Sequence, residues 1–174
     1  NLNGFLSTVI ENCDTDLVVF LDSDCTFDPT YISEMLNFLD PDVDIVNGSP
    51  YHPEGDIEGV KKGRLLISNT ANAFYKLLVD KNIYTYTSIF KMYRTSKIRN
   101  IILETKGFVA VTELFVKCIL NGANVKEFPC ILKIRKFGDS KIHILNSTKN
   151  HLLFMNKLIF KNTLWIIIKN NFGT

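Results

Sequence analysis

A chain of 174 residues with 46% hydrophobic and 22% charged side chains has enough material for one hydrophobic core, which excludes a disordered tail. The formal net charge of +2, without a long block of Lys or Arg, gives no indication of nucleic-acid binding. Four scattered cysteines without a C-x-x-C pair predict reduced, mostly buried thiols rather than a disulfide framework or a zinc site.

Helical and strand patterns alternate along the chain. Apolar side chains at helical spacing predict a helix at 4–12, and an unbroken apolar run predicts a buried strand at 17–21. Asp28 and Pro29 open the next helix, through about Leu39, since Pro is favoured in a first turn. The remaining predicted elements are a strand at 44–47, a long helix whose apolar residues Val60, Ile67, Ala71, Phe74 and Leu78 should pack on the sheet, a strand at 84–92, a helix at 109–120, an extended segment at 125–137 and a helix at 151–168. This alternation predicts an α/β fold with a mostly parallel sheet and helices on its faces.

The strand at 17–21 leads directly into two carboxylates, Asp22 and Asp24, which are separated by one residue. Ligands of parallel sheets lie beyond the carboxyl ends of the strands. Two hard oxygen ligands at that place suit Mg²⁺ or Mn²⁺, with water and substrate phosphates completing the coordination shell. A strand-end turn or a helix cap is the alternative, because a single D-x-D is a weak signal.

A polar row borders the apolar stripe of the long helix. Arg64, Ser68 and Asn72 follow one another at four-residue steps, so a guanidinium and a hydroxyl could face an anion together. The alternative is an ordinary solvated helix edge.

A second group of cations follows the extended segment near its end. Strand alternation places Lys133 and Arg135 on one face, and Gly138 permits a tight turn that brings Ser140 and Lys141 back toward them. This pattern predicts a phosphate-binding cradle. An edge strand protected by charge is the alternative.

Two weaker candidates come from the strand at 84–92 and the helix at 109–120. The hydroxyls of Thr87 and Ser88 could line a sugar pocket, although Thr is also a common strand former. Glu113 lies early in its helix, where a carboxylate usually compensates the helix dipole at the surface. In a cleft it could instead orient the acceptor, the sugar or a metal-bound water.

Taken together in chain order, these residues resemble the inverting family-2 glycosyltransferases, and within them the branch that is similar to dolichol-phosphate mannose synthase. The resemblance extends over about residues 15–142. It is carried by Val19-Phe20-Leu21-Asp22-Ser23-Asp24, Asp44-Ile45-Val46-Asn47-Gly48-Ser49, Arg64-x-x-x-Ser68, Thr87-Ser88-x-Phe90-Lys91, Gly107-Phe108, Glu113, Gly122, Glu127-x-Pro129 and Arg135-x-x-Gly138-x-Ser140-Lys141.

The resemblance implies a GT-A type, Rossmann-like fold that is incomplete at its N-terminus, a nucleotide-sugar donor and a phosphorylated polyisoprenoid or similar acceptor. It implies that Asp22 and Asp24 hold the metal, Mg²⁺ or Mn²⁺, and the diphosphate. Arg64, Ser68 and Arg135 would surround the acceptor phosphate. The predicted catalytic set is Asp22, Asp24 and Glu113, and the remaining predicted substrate-binding residues are Ser49, Ser88, Ser140 and Lys141. An acceptor phosphate is already anionic, so Glu113 is expected to orient or assist rather than to accept a proton.

The sequence departs from the family pattern at three positions. Pro50 stands where Arg is frequent, Thr85 where Asp is common, and Ile89 where Gly is usual. These departures leave the acceptor open to another lipid or a sugar. They also leave a second interpretation, a non-catalytic scaffold at a membrane surface that retains the fold.

The C-terminal part predicts a separate element. We expect residues 1–145 to form a partial catalytic domain and residues 146–174 an amphipathic helix, in which Lys157, Lys161 and Trp165 suit a membrane interface. A core helix that covers the sheet is the alternative. Without a leader sequence or 18 uninterrupted apolar residues, we expect no signal peptide and no membrane span, but a cytoplasmic protein peripheral to a membrane.

Overall fold

Twelve helices and strands follow one another in the computed structural model, which describes residues 2–24, 26–60, 62–134 and 144–172. In chain order they are α1 (Leu2–Asn12), β1 (Leu17–Phe20), α2 (Tyr31–Leu36), β2 (Ile45–Ser49), β3 (Asp56–Ile57), α3 (Lys62–Leu78), β4 (Lys91–Arg94), α4 (Thr95–Ile98), α5 (Val109–Leu120), β5 (Val125–Pro129), β6 (Ile131–Leu132) and α6 (Ile144–Phe172).

Four of these strands form one mixed sheet in the order β1-β4-β2-β5. Strand β2 pairs in parallel with β5, whereas β4 is antiparallel to both β1 and β2. Strands β1, β2 and β5 therefore run in one direction and β4 alone runs against them. The predicted α/β fold is confirmed, but the sheet is mixed. The carbonyl of Phe90 accepts a hydrogen bond from the Gly48 N–H at 2.9 Å, so β4 enters the sheet at the edge where β2 ends.

The sheet separates two apolar clusters, because successive strand residues point to opposite faces. Ile45 and Tyr93 belong to the larger cluster, which α1, α3, α5 and α6 cover. Val46 and Met92 belong to the smaller cluster on the opposite face, which α2 covers through Met35. The expected helices on both faces are confirmed.

The buried face of α3 differs from the predicted apolar stripe. Ile67 and Phe74 are 41% and 49% exposed, whereas Asn72 and Tyr75 are the buried residues of this helix. Tyr75 stacks on Tyr86, with ring centroids 5.5 Å apart, and the Asn72 side chain binds backbone N–H groups of a neighbouring loop. Ala71 and Leu78 pack against the larger cluster as predicted, but Ile67 and Phe74 do not, because Asn72 and Tyr75 take their place at the core.

The bounds of the other elements agree with the predicted ones in one case and differ in others. The helix at 109–120 is confirmed at both ends. The helix predicted at 28–39 spans only Tyr31–Leu36, because Asp28 Oδ1 accepts hydrogen bonds from the Thr30 N–H and hydroxyl in a preceding turn. The strand predicted at 84–92 begins only at Lys91. The segment predicted to be extended at 125–137 contains two short strands, β5 and β6, and is described as far as residue 134.

Helix α6 begins before its predicted start and packs on the domain. Phe154, Met155 and Leu158 are buried in the larger cluster, and the Tyr75 hydroxyl hydrogen-bonds with His151 Nδ1 at 2.9 Å. This part of α6 therefore covers the core, as the alternative interpretation expected. Within the described ranges, a search for a helix of sufficient length and apolarity to span a bilayer finds none.

The three cysteines that the structure describes, Cys13, Cys118 and Cys130, are free thiols, as predicted; Cys25 is outside the described residues.

Candidate functional site

The candidate site lies at the edge of the sheet where β1, β2 and β5 end. Because these strands share a direction, the segments after Phe20, Ser49 and Pro129 leave the sheet on the same side. Strand β4 begins at this edge with Lys91, so the loop before it also contributes. Most of the predicted site residues that the structure describes lie on these segments or on α3.

The D-x-D turn follows β1 directly. Asp22 and Asp24 are both half-buried. Asp24 Oδ1 accepts hydrogen bonds from the Thr26 N–H at 3.1 Å and the Thr26 hydroxyl at 2.9 Å, which fixes the orientation of the carboxylate. The Thr26 carbonyl accepts a further bond from the Lys133 N–H at 2.8 Å. The D-x-D turn is therefore joined to the segment that leads into the predicted phosphate cradle.

The donor set of this turn fits a hard divalent cation. Two adjacent carboxylates are a common protein contribution to Mg²⁺, which keeps waters and substrate phosphates as its other ligands. Among the described side chains, no group of three or more His, Cys, Asp or Glu could enclose a metal ion. As hard oxygen donors, the carboxylates of the turn would suit a cation that is shared with a phosphorylated ligand.

The polar row of α3 meets a hydroxyl of the loop before β4, with Tyr51 and Arg64 nearby. Arg64 is exposed and Ser68 is half-buried, with the Ser68 hydroxyl 3.0 Å from that of Thr87. Burial raises the pKa of Tyr51, although its hydrogen bond to Ser68 and the positive charge of Arg64 act in the opposite direction. Tyr51, Arg64, Ser68 and Thr87 therefore form one cluster, which we call the hydroxyl cluster. Tyr51 was missed from the sequence, although it follows directly on the end of β2.

The other two predicted serines that the structure describes, Ser49 and Ser88, form hydrogen bonds within the protein. Ser49 is fully buried, and its hydroxyl hydrogen-bonds with that of Thr85 at 2.7 Å. The Ser88 hydroxyl accepts a bond from the Phe90 N–H at 3.1 Å and stabilises the turn before β4. Their proximity to the hydroxyl cluster agrees with the predicted site, but their hydroxyls hold the loop that precedes β4.

Glu113 lies in the interior rather than at the helix surface. It is fully buried, and its two carboxylate oxygens accept the N–H groups of Glu104 and Thr105, the Thr105 hydroxyl and the Lys117 ammonium at 2.6–3.1 Å. Burial would raise the pKa of Glu113, but these hydrogen bonds outweigh it and lower the pKa. The carboxylate thus holds the segment before α5 and is not the surface group that its place in the helix suggested, while its part in the reaction stays a prediction.

A fully buried amine was not foreseen at all. Lys91 has no exposed surface, donates a hydrogen bond to the Ser88 carbonyl and lies 4.7 Å from the Phe115 ring centroid. Burial lowers the pKa of Lys91 to about 7, against the opposing negative charge of Glu127. Lys91, Asn47 and Glu127 occupy one register row across β4, β2 and β5. All three residues are part of the family pattern, and this was the signal that the sequence offered. Spacing along the chain does not show that the three strands bring them side by side.

The predicted residues Arg135, Ser140 and Lys141 lie outside the described residues, so their roles stay predictions. Lys133, the last predicted member of this group that is described, is exposed beside the D-x-D turn.

Comparison with known proteins gives two relatives and a family match. Polyprenol monophosphomannose synthase of Mycolicibacterium smegmatis is 30% identical over 129 residues, which cover 72% of this chain and 49% of that protein. Undecaprenyl-phosphate mannosyltransferase of Micrococcus luteus is 25% identical over 130 residues, which cover 73% of this chain and 53% of that protein. The chain thus spans about half the length of the curated relatives that it matches. Residues 2–102, more than half of the chain, match the family profile described as Glycosyl transferase family 2. The chain therefore belongs to glycosyl transferase family 2.

Proposed function

We propose that this protein transfers a hexosyl group, with mannose as the first candidate, from a nucleotide-sugar donor to a polyprenyl phosphate, with inversion at the anomeric carbon. The observation that carries the proposal is the hydroxyl cluster around Arg64, which lies on the same edge of a family-2 chain as the D-x-D turn. The two relatives named above, a polyprenol monophosphomannose synthase and an undecaprenyl-phosphate mannosyltransferase, support both the sugar and the acceptor.

The donor side of the proposed site is the D-x-D turn. Asp22 and Asp24 would hold Mg²⁺ or Mn²⁺, which neutralises the charge of the departing diphosphate. Thr26 keeps one oxygen of Asp24 in place through two hydrogen bonds. The carboxylates are therefore oriented before the donor binds, and less reorganisation is needed during the transfer.

The acceptor side is the hydroxyl cluster. The Arg64 guanidinium and the hydroxyls of Tyr51 and Ser68 present donors of the kind that bind phosphate oxygens. A phosphate monoester is already ionised at neutral pH, so its oxygen can attack the sugar without a general base. This agrees with Glu113, whose oxygens are occupied by the protein's own N–H and O–H groups and by Lys117.

We also propose a membrane surface as the site of the reaction. Helices α3 and α6 contain seven Lys or Arg residues and no Asp or Glu. On α3 Leu66 and Leu77 are 68% and 81% exposed, and on α6 Phe160 is 74% exposed. Cationic helices with exposed apolar side chains suit an interface of anionic lipids, where a polyprenyl phosphate resides.

The test uses the protein expressed from its complete gene. It is incubated with Mn²⁺, a panel of nucleotide sugars and a short polyprenyl phosphate, and both nucleoside diphosphate and lipid-linked sugar are measured. Asp24→Asn should reduce turnover by at least about 100-fold, since a ligand of the diphosphate-bound cation is lost. Asp42→Asn, at an exposed position near the opposite end of β2, should leave turnover unchanged. Full turnover in Asp24→Asn would reject the donor site, and an inactive wild type would favour the scaffold interpretation.

A further inference from the structure

The loop of residues 84–88, which precedes β4, obtains its shape from side chains of other elements. Glu127 on β5 accepts the Tyr84 N–H with Oε2 at 2.9 Å and the Thr85 N–H with Oε1 at 3.1 Å. Asn47 on β2 donates through Nδ2 to the Thr85 carbonyl at 2.7 Å and to Glu127 Oε1 at 3.1 Å. The first half of the loop is thus held by two side chains at the end of the sheet.

Side chains from α3 and β4 hold the second half of the loop. Asn72 Oδ1 accepts the N–H groups of Tyr86 at 2.9 Å and Thr87 at 3.2 Å, while Lys91 donates to the Ser88 carbonyl. Four consecutive backbone N–H groups, from residue 84 to residue 87, therefore end on the oxygens of only two side chains. Buried N–H groups need such partners, so the two acceptors determine where the loop lies.

The position of this loop sets the position of the hydroxyl cluster. The Thr87 hydroxyl is 3.0 Å from that of Ser68, and the side chain of Tyr51 lies near Ser68. The Thr85 hydroxyl meets Ser49 at 2.7 Å and also accepts a bond from the Tyr51 N–H at 3.4 Å. A shift of the loop would therefore move Tyr51 and Ser68 relative to Arg64.

We propose that Glu127 is a positioning residue of the transfer site, whose carboxylate holds the 84–88 loop so that the hydroxyl cluster meets the acceptor phosphate in one geometry. Three donors converge on this carboxylate, from Tyr84, Thr85 and Asn47. A carboxylate has acceptors only, whereas a Gln side chain would bring two N–H groups of its own to the same place. Gln at this position must therefore lose at least one loop contact, although it has nearly the same volume.

The inference rests on the proposed function, because it assigns Glu127 a task in that reaction. A misplacement of about 1 Å can reduce a rate by up to about 100-fold, so a small shift of the loop is measurable in turnover. Glu127→Gln should raise the KM for polyprenyl phosphate at least about fivefold and accelerate hydrogen exchange at the amides of residues 84 and 85. Lys126→Gln, on the adjacent residue of β5, should change neither quantity.

A double-mutant cycle separates positioning from a general loss of stability. If Glu127 acts through the hydroxyl cluster, then Glu127→Gln should have a much smaller effect on kcat/KM when Ser68 is already Ala. An equal effect in both backgrounds, or an unchanged KM with accelerated exchange, overturns the inference. Glu127→Asp keeps the charge but shortens the reach, and it serves the same cycle if the Gln variant does not fold. Wild-type protein without turnover would reject the proposed function and this role with it, whereas normal turnover in a folded Glu127→Gln rejects this role alone.

Discussion

Replacement of Lys91 by Met should change how the stability of this protein depends on pH. The Lys91 amine is fully buried on β4, with the Ser88 carbonyl and the Phe115 ring as its contacts. Burial lowers its pKa from 10.5 to about 7, although the charge of Glu127 acts against this shift. In the unfolded chain the same amine titrates near its ordinary pKa. Between these two pKa values the unfolded chain therefore binds a proton that the folded protein does not.

The direction in which the free energy of unfolding changes with pH follows from this difference in bound protons. The free energy of unfolding increases with pH wherever the unfolded state binds more protons. For one group the increase is about 1.4 kcal/mol per pH unit, so Lys91 should add roughly 2–3 kcal/mol between pH 7.5 and 9.5. The Met variant lacks this contribution. The difference in stability between wild type and Lys91→Met should thus shift in favour of wild type as the pH rises.

Urea unfolding followed by circular dichroism at several pH values measures this difference. Other groups whose unfolded forms titrate in this range, such as the thiols of Cys118 and Cys130, are present in both proteins, so their contributions largely cancel in the comparison. Lys126→Met is the matched control, because Lys126 lies half-exposed on β5 and pairs with Asp40 at 2.6 Å. Its stability difference from wild type should stay nearly flat over this pH range. A flat difference for Lys91→Met as well would show that the amine keeps its ordinary pKa, and the reasoning would fail.

Two further predictions concern the helical surface and the sheet. Leu77 and Ile102 are equally exposed, at 81% and 80%, but only Leu77 lies on α3. Leu77→Asp should weaken sedimentation of the chain with anionic vesicles several-fold and Ile102→Asp should not; equal binding of both variants would remove α3 from the proposed membrane surface. A Cβ atom on Gly48 would lie 2.5 Å from Phe90 Cδ1, whereas one on Gly63 meets nothing within 4 Å. Gly48→Ala should therefore cost about 1–3 kcal/mol of unfolding free energy and Gly63→Ala should cost none, and similar melting curves would contradict the packing.

The parts of the fold that the sequence predicted well are those with a local cause. The apolar run before Asp22 and the helix at 109–120 each have a pattern that one stretch of chain contains completely. The same holds for the D-x-D turn, where Asp24 and Thr26 are two residues apart. Such features depend on backbone preference and hydrophobic periodicity, which are readable without the rest of the molecule.

The parts that could not be predicted depend on contacts between distant residues. The loop at 84–88 has strand-forming residues, but its N–H groups bind Asn72 and Glu127 instead of a neighbouring strand. The same Asn72 is buried on α3 although it is polar, while the apolar Ile67 and Phe74 of that helix are exposed. Glu113 was interpreted from its place in a helix, whereas all its partners except Lys117 lie in the segment before that helix. In each case a buried polar group needed a partner that spacing along the chain does not reveal.

Thr26 makes two regions of the molecule mechanically dependent on each other. Its N–H and hydroxyl bind Asp24, while its carbonyl binds the Lys133 N–H. One residue therefore contacts both the acidic turn and the basic segment, and a displacement of Thr26 would affect both. Occupancy of either would change the affinity of the other by the same factor, because linkage between two binding events is reciprocal. Binding of the proposed sugar donor would then change the affinity for the proposed lipid phosphate, and the reverse, without direct contact between the two ligands.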